Sequence, residues 1–306
     1  MSQARYVHIV DDVPELEGLE QGPVLVVCLD GFLDAGSASE LAMAAVTADG
    51  QGRVVASFEV DEFFDYRARR PPMSFVEDHY TDYDAPRLVV RLCQDAGESP
   101  FLALTGPEPD IRWEAFAEAV RRVVQHFGVR LVVSLGAVPM AVPHTRPVQV
   151  TNHATSQRLL IEENVWRGEL RIPSSAVAML ELRLGEWGVD ACGFVAHIPH
   201  YVAQFQYPDA AIALIERVSR VTGLHWQVGE LASAGEEKRA EIAAQVEESA
   251  EIRQVVTGLE QQYDAFHRAL ERDEDLLAGD GGIPTGEELG AQFEQFLADL
   301  DQPEDD

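Results

Sequence analysis

Apolar runs alternate with amphipathic stretches over the first 230 residues of the chain. The run VLVVCLD at 24–30 is continuously apolar, which is typical of a strand buried on both faces. Further runs predict strands at 53–63, 87–93, 100–106, 129–137, 148–152 and within 190–201. Apolar residues three and four positions apart predict helices at 38–48, 110–128, 174–188 and 208–223.

Strands separated by helices of this length indicate βαβ units, and so an α/β fold with a mostly parallel sheet. The segment 59–100 lacks a clear helix and is interpreted as an antiparallel excursion or hairpin. Ser37 and Glu40 have the spacing of a capping box for the first helix. Asp110 is the expected N-cap of the helix at 110–128, and Gly128 its C-terminal stop.

The pattern changes near residue 233, which divides the chain into an α/β core domain, 1–232, and an acidic helical C-terminal region, 233–306. Within the second part we predict helix over about 235–272, a joint at 276–283 and a last helix at about 285–299. One apolar stripe is expected to pack on the core or on a neighbouring subunit; it consists of Ile252, Val255, Val256, Leu259, Tyr263, Phe266 and Leu270.

A formal net charge of −30 at pH 7 argues against nucleic acids and anionic membranes as partners. No signal peptide and no membrane-spanning run is recognisable. The three cysteines lie in apolar runs without metal or redox spacing, as expected of buried free thiols in the reducing cytoplasm. We therefore expect a cytoplasmic protein.

Lys238 is the single lysine of the chain, and it lies in a surface-helix context. The chain therefore has no Walker loop, no desolvated lysine for Schiff-base chemistry and no core lysine of the kind ATP-grasp ligases commonly use. It also has no Gly-x-Gly-x-x-Gly after a strand and no Ser/His/Asp order with an elbow motif. The sequence thus predicts neither a catalytic residue nor a cofactor.

Several predicted strands end in small or polar residues, at Asp30-Gly31, Thr105-Gly106, Gly136-Ala137 and His197. In a parallel sheet the loops that follow such ends share one edge, where ligands bind. Asp30 and Asp34 are either paired carboxylates for acid–base or metal chemistry, or part of a turn made by Gly31 and Gly36 in which Asp34 binds backbone N–H groups.

The loop GAVPMAVPHTRP at 136–147 follows a buried strand and reads as a rigid rim element. Pro147 favours an extended Arg146, which is then either an anion clamp or the partner of Asp61 or Asp65 in a buried strut. A cluster of His144, His153, His197 and His200 offers nitrogen ligands, although a hydrogen-bonded structural role is the stronger interpretation and no metal is expected.

Four stretches in order resemble the proteasome assembly chaperone 2 family, in its actinobacterial branch: DGFLDAGSASE, FEVDEFFDYRARRP, PHTRPVQVTNHAT and HIPHYVAQFQYPDAA. The resemblance covers roughly residues 7–260. It implies a three-layer α/β/α sandwich of the phosphorylase/hydrolase-like kind, a homo-oligomer with a trimer as first expectation, and a non-enzymatic role in assembling proteasome rings. The chain ends in QPEDD where such chaperones often carry a hydrophobic–Tyr–any tail, so docking through that tail is not expected.

Two hypotheses follow for the function. The first is a non-enzymatic, cytoplasmic homo-oligomer that assembles or binds another protein complex, such as a proteasome-related one. The second is a phosphorylase- or hydrolase-like protein that binds a small anionic or nucleoside-like ligand at the rim. Both use the same candidate residues, which are Asp30, Gly31, Asp34, Gly36, Asp61, Arg70, His144, Thr145, Arg146, His197, His200 and Tyr201.

Overall fold

A computed structural model describes residues 6–271 apart from 32, 49, 163 and 165–168. In this part of the chain eight strands form one sheet in the order β1-β3-β6-β7-β2-β8-β10-β9. The strands are β1 Val7–Ile9, β2 Val24–Asp30, β3 Arg53–Phe58, β6 Val89–Gln94, β7 Pro100–Pro107, β8 Leu131–Met140, β9 Val150–Ala154 and β10 Ala191–Pro199. A separate two-stranded hairpin consists of β4 Ser74–Val76 and β5 His79–Thr81.

The sheet is mixed, with the parallel strands in the middle. Strands β7, β2, β8 and β10 pair in parallel, whereas β6, β3 and β1 on one side and β9 on the other pair antiparallel. The connection from β6 to β7 spans only 95–99, which is too short for a parallel crossover. The four parallel strands therefore end at one edge, where the sequence placed the rim.

Helices cover both faces of the sheet. They are α1 Ala38–Val46, α2 Trp113–Phe127, α3 Ala176–Glu186, α4 Pro208–Thr222, α5 Gly229–Glu248 and α6 Ala250–Glu271. The core on one face takes side chains from α1, α4 and α5, and the core on the other face takes them from α2 and α3. The predicted three-layer α/β/α sandwich with a C-terminal helical extension is thereby confirmed.

Strand β2 explains why its sequence is apolar throughout. Val26 packs in the core on the α1 and α4 face, and Leu25 and Val27 pack in the core on the α2 and α3 face. All three are almost completely buried. Burying a side chain of this size contributes about 1.5–3 kcal/mol, so a strand in the middle of the sheet gains from apolar residues at every position.

Helix α1 begins at Ala38, as predicted, but its predicted capping box is wrong, and so is the predicted start of α2. Ser37 has a left-handed backbone and makes no capping bond with its side chain. Asp34 takes that role instead, accepting hydrogen bonds from the backbone N–H of Ser39 at 2.9 Å and of Glu40 at 3.0 Å. Helix α2 begins at Trp113 rather than near Asp110.

Other helix and strand boundaries differ less. Gly128 ends α2 with a positive φ of 62°, as predicted. The strand expected at 53–63 stops at Phe58, and a 3-10 turn follows at Val60–Glu62. The segment 59–100 contains the β4–β5 hairpin in place of a helix, which confirms the antiparallel interpretation.

Part of the stripe predicted at 252–270 packs in the structure. Val256 and Leu259 are buried, whereas Ile252 and Val255 on the same helix are exposed. The joint at 276–283 and the helix at 285–299 lie outside the described residues. The domain boundary at residue 232 stays a prediction. No helix among the described residues has the length and apolar character that crossing a bilayer requires.

Candidate functional site at the strand-end rim

The first corner of the rim is the loop between β2 and α1. Besides its two backbone bonds, the carboxylate of Asp34 accepts a hydrogen bond from Ser39 Oγ at 2.7 Å. The geometry therefore matches the interpretation in which the Asp34 carboxylate binds nearby backbone N–H groups. Asp30 is exposed, and partial desolvation, followed by the charges of Glu40 and Asp34, raises its pKa. Asp30 is thus the less engaged of the two carboxylates.

Gly36 connects this loop to the segment after β10 through two backbone hydrogen bonds. Its φ is +67°, and its N–H donates to the Ala203 carbonyl at 2.7 Å while its own carbonyl accepts from Tyr207 N at 2.8 Å. A Cβ at Gly36 would lie 2.8 Å from Tyr207 Cβ. Gly31 is similarly close to Glu108, since a Cβ there would lie 2.7 Å from Glu108 Cβ. Both glycines therefore permit close approach between rim loops.

The arginine that reaches the rim is Arg69 rather than the predicted Arg70. Arg69 forms an ion pair with Asp110 at 2.8 Å and donates a hydrogen bond to the Asp30 carbonyl at 3.3 Å. Its guanidinium also lies over the Phe64 ring, 4.7 Å from the centroid. Arg70 is exposed. The two adjacent arginines in RARRP have the same sequence signal, so only the backbone path separates them.

His144 and Tyr201 join the loop after β8 to the 3-10 turn His200–Val202. Tyr201 Oη accepts the backbone N–H of His144 at 2.8 Å and lies 2.7 Å from His144 Nδ1. Tyr201 Oη thus contacts both the backbone and the side chain of His144. Burial lowers the pKa of His144 and raises that of Tyr201 to about 12, so both rings are held neutral.

Arg146 binds helix α6 in a geometry the sequence did not predict. Its Nε and Nη2 lie 2.8 and 2.7 Å from the two carboxylate oxygens of Asp264, and Nη1 lies 3.3 Å from Glu260. The hydrogen bonds from Arg146 lower the pKa of Asp264. Thr145 Oγ1 also donates to Glu260, at 2.5 Å.

The proposed pairing of Arg146 with Asp61 or Asp65 is wrong. Asp61 lies in the 3-10 turn after β3 and accepts a hydrogen bond from Tyr66 at 2.6 Å. Asp65 accepts the backbone N–H of Arg67 at 2.8 Å. The two aspartates do not share a strand face because β3 ends before either of them. Arg146 does form an Arg–Asp pair, but the aspartate comes from 118 residues along the chain.

The four histidines considered for a metal do not assemble into one. His144 bonds Tyr201, His200 is exposed, and His153 bonds Glu181 on the other side of the sheet. No group of three or more potential metal ligands occurs within the described residues. His197 Nε2 lies 2.8 Å from Thr151 Oγ1, and burial lowers the pKa of His197 to about 4.

The sequence of this chain matches a known protein family. The sequence profile of the PAC2 family matches residues 28–246, more than half of the chain. The chain belongs to the PAC2 family. The match includes the PAC2 rim loops with Asp34, His144 and Arg146, and it ends before Glu260 and Asp264 on α6.

Two solved structures are similar to this chain over most of its length. A Mycobacterium tuberculosis protein of unknown function, Rv2714, is 41% identical over 99% of both chains with a TM-score of 0.83. A Corynebacterium glutamicum protein of unknown function is 38% identical over 88% of this chain and 99% of its own, with a TM-score of 0.81.

A further similar structure carries a functional name. The M. tuberculosis proteasome-assembly chaperone homologue Rv2125 is 28% identical over 76% of this chain and 99% of its own, with a TM-score of 0.68. No curated protein matches the sequence.

Proposed function

We propose that this PAC2-family protein acts through protein–protein contact, as a cytoplasmic homo-oligomer that assembles or binds another protein complex. A proteasome-related complex is the first candidate, because the similar protein Rv2125 is named a proteasome-assembly chaperone homologue. The observation that carries the proposal is an exposed arm, residues 72–85, which contains the β4–β5 hairpin and several large apolar side chains.

The arm presents large apolar side chains to solvent. Phe75 is 61% exposed and Tyr80 is 70% exposed, and their ring centroids lie 5.0 Å apart. Met73, Val76 and Tyr83 on the same arm are exposed as well. Apolar groups grouped in this way on a surface mark an interaction site more often than single exposed side chains do.

A second copy of this chain is the occupant we propose for the arm. The arm carries the exposed acidic residues Glu77, Asp82 and Asp84, and the loop before it carries the exposed basic residues Arg67 and Arg70. The acidic residues on the arm of one copy can therefore pair with the basic residues on the loop before the arm of the next copy. A contact between two different surfaces repeats around an axis, which suits a ring such as the expected trimer.

The rim contacts favour this function over a ligand site at the rim. An anion clamp needs an arginine whose donors are available, and Arg146 directs its Nε and Nη2 at Asp264. His144 is likewise engaged by Tyr201. Asp30 is the rim carboxylate with a raised pKa, but it stands beside further acidic groups that repel an anion.

Light scattering of the purified chain tests the oligomer. We expect a trimer mass for the wild type and a monomer mass for the double variant Phe75→Ser/Tyr80→Ser. Leu182→Ser is the matched control, since Leu182 is 59% exposed on α3 and its replacement is expected to leave the mass unchanged. A monomeric wild type would exclude the oligomer.

Complex assembly requires a separate experiment in the native host. Tagged wild-type chain is expected to capture proteasome subunits or their precursors, and the arm variant is expected to capture fewer. Equal capture of these subunits by the tag alone would contradict the proteasome-related role.

A further inference from the structure

A row of polar residues crosses the sheet on the face covered by α3. Gly193 of β10 pairs in register with Ser134 of β8 on one side and with His153 of β9 on the other. Side chains of residues directly opposite one another in neighbouring strands point to the same face. Ser134 and His153 therefore flank a glycine on one face of the sheet.

Gly193 brings the two side chains together because it has no Cβ. A Cβ at Gly193 would lie 2.3 Å from Ser134 Oγ and 2.6 Å from His153 Nε2. Ser134 Oγ and His153 Nε2 therefore both lie over the glycine, one from each neighbouring strand. The distance between these two atoms cannot exceed the sum of their distances from the Cβ position. Any larger residue at 193 would occupy the space in which they converge.

Helix α3 supplies a carboxylate to the far side of the histidine. Glu181 Oε1 lies 2.9 Å from His153 Nδ1, so in the neutral imidazole the proton on Nδ1 is donated to Glu181. The lone pair of the ring is then on Nε2, which lies on the side of the ring next to Gly193. The other carboxylate oxygen, Oε2, is enclosed and has no hydrogen-bond partner among the described residues.

Ser134 is buried, whereas the sheet surface beside this row is only partly covered by the described residues. The side chain of His153 is 40% exposed. Between the row and the rim, Gly136, Val138 and Val195 are half-buried. His197, on the same face of β10, has an enclosed Nδ1 that lacks a hydrogen-bond partner within the part of the chain described here. Enclosed polar atoms without partners are rare in folded proteins and call for a ligand or water.

We propose that Ser134, His153 and Glu181 form a nucleophilic serine site that transfers the acyl group of small carboxylic esters to water. Ser134 is the nucleophile, His153 is the general base and then acid, and Glu181 is a positioning residue that fixes the imidazole. A nucleophile near a base, with the base oriented by a third group, is the arrangement this chemistry requires. The activity is independent of the proposed assembly role.

The reaction proceeds in two balanced halves. In the first, Ser134 Oγ bonds to the ester carbonyl carbon while its proton passes to His153 Nε2. The tetrahedral intermediate then expels the alkoxide, which takes the proton from His153 and leaves as an alcohol. In the second half water replaces Ser134 as nucleophile, His153 again carries the proton, and the carboxylic acid and free serine are released.

Reaction with an alkyl fluorophosphonate tests the site without knowledge of the natural ester. The probe phosphonylates activated serines with loss of fluoride, and mass spectrometry of the full chain locates the adduct. We expect one adduct, on Ser134, that is absent in Ser134→Ala and forms at least about 100-fold more slowly in His153→Gln. Ser233→Ala, which removes an exposed hydroxyl on α5, is expected to label like the wild type.

Variants of Glu181 test its positioning role. Glu181→Gln is expected to slow labelling of Ser134, and Glu181→Asp to retain part of the rate because it keeps the carboxylate. Thermal melting of each variant shows whether the fold is retained. The proposal is overturned if folded wild-type protein forms no adduct on Ser134, or if Ser134 reacts equally fast in a folded His153→Gln variant.

Discussion

Two histidine sites in this molecule differ in how completely their hydrogen bonds are satisfied. At the rim, His144 is bonded to Tyr201, and Arg146 beside it is bonded to Asp264. On the sheet face under α3, His153 is bonded to Glu181, but Glu181 Oε2 and the nearby His197 Nδ1 are enclosed and have no partner among the described residues. The loop at 136–147 carried the candidate residues in the sequence, and its His144 and Arg146 side chains already have hydrogen-bond partners.

The difference separates structural from chemical use of similar residues. A satisfied network fixes the positions of loops and leaves few donors or acceptors for a ligand. An enclosed polar atom without a partner lowers stability by about 1–3 kcal/mol, and such a cost is often linked to function. By this criterion the part of the rim with His144 and Arg146 serves the structure, and the face under α3 is the better place to look for chemistry.

The largest effect is expected from Gly193→Ala. The added Cβ meets Ser134 and His153 at 2.3 Å or less, so the free energy of unfolding should fall by about 1–3 kcal/mol and labelling of Ser134 should slow. Urea unfolding measures the first effect. Gly258→Ala is the control, because nothing lies within 4 Å of a Cβ there, and it should not destabilise. An unchanged stability in Gly193→Ala would contradict the close convergence.

Acidification should destabilise the fold through His197. Its folded pKa of about 4 lies below the ordinary value of 6.5, so the unfolded chain binds a proton there before the folded chain does. The contribution is complete above pH 6.5 and is lost as the pH falls towards 4. Urea midpoints across this range are expected to show a shallower pH dependence in His197→Gln than in the wild type. His200→Gln, at an exposed position, should retain the wild-type slope.

A local effect is expected from Arg146→Ala. The variant removes the two-point contact with Asp264 and the contact with Glu260, so α6 should separate from the rim loop more often. Hydrogen exchange at 250–271 is expected to rise several-fold while exchange in β2 and β8 stays unchanged. Arg253→Ala, on the same helix but away from the rim pair, is the control. Equal exchange in wild type and Arg146→Ala would show that the Arg146 contacts do not hold α6 to the rim loop.

The smallest effect is the pH dependence of the same contact. Hydrogen bonding to Arg146 holds the pKa of Asp264 below its ordinary 3.8, so the carboxylate stabilises the folded state above that value. The stabilisation should disappear as the pH falls through the folded pKa. Exchange at 250–271 is expected to rise at that point in the wild type, whereas Asp264→Asn should exchange faster already at neutral pH. A wild type without this rise would contradict the pairing.

Much of the fold followed from the sequence. The run at 24–30 predicted a strand buried on both faces, and β2 has this structure because it lies in the middle of the sheet. The shared edge of the strand ends followed from the alternation of strands and helices. The capping of α1 did not follow, because Asp34 and Ser37 precede the helix within a few residues and only the left-handed backbone of Ser37 decides between them.

The partners of the candidate residues were the least predictable part. Arg146 had acidic residues available at 61 and 65, and its actual partner lies on α6 because that helix passes over the rim loop. Ser134, His153 and Glu181 lie in three separate elements, and no spacing in the sequence joins them. Their only local signal was Gly193, a glycine inside a strand, which indicates close approach of a neighbour.

The sequence by itself determined the α/β class, the strand-end rim and the family, because hydrophobic periodicity and local motifs are properties of short segments. Only the tertiary structure decided which polar groups are satisfied. Strand register set His153 and Ser134 on either side of Gly193, and the docking of α6 engaged Arg146. Both depend on residues far apart in the chain, whose contacts are fixed when the sheet and helices pack together.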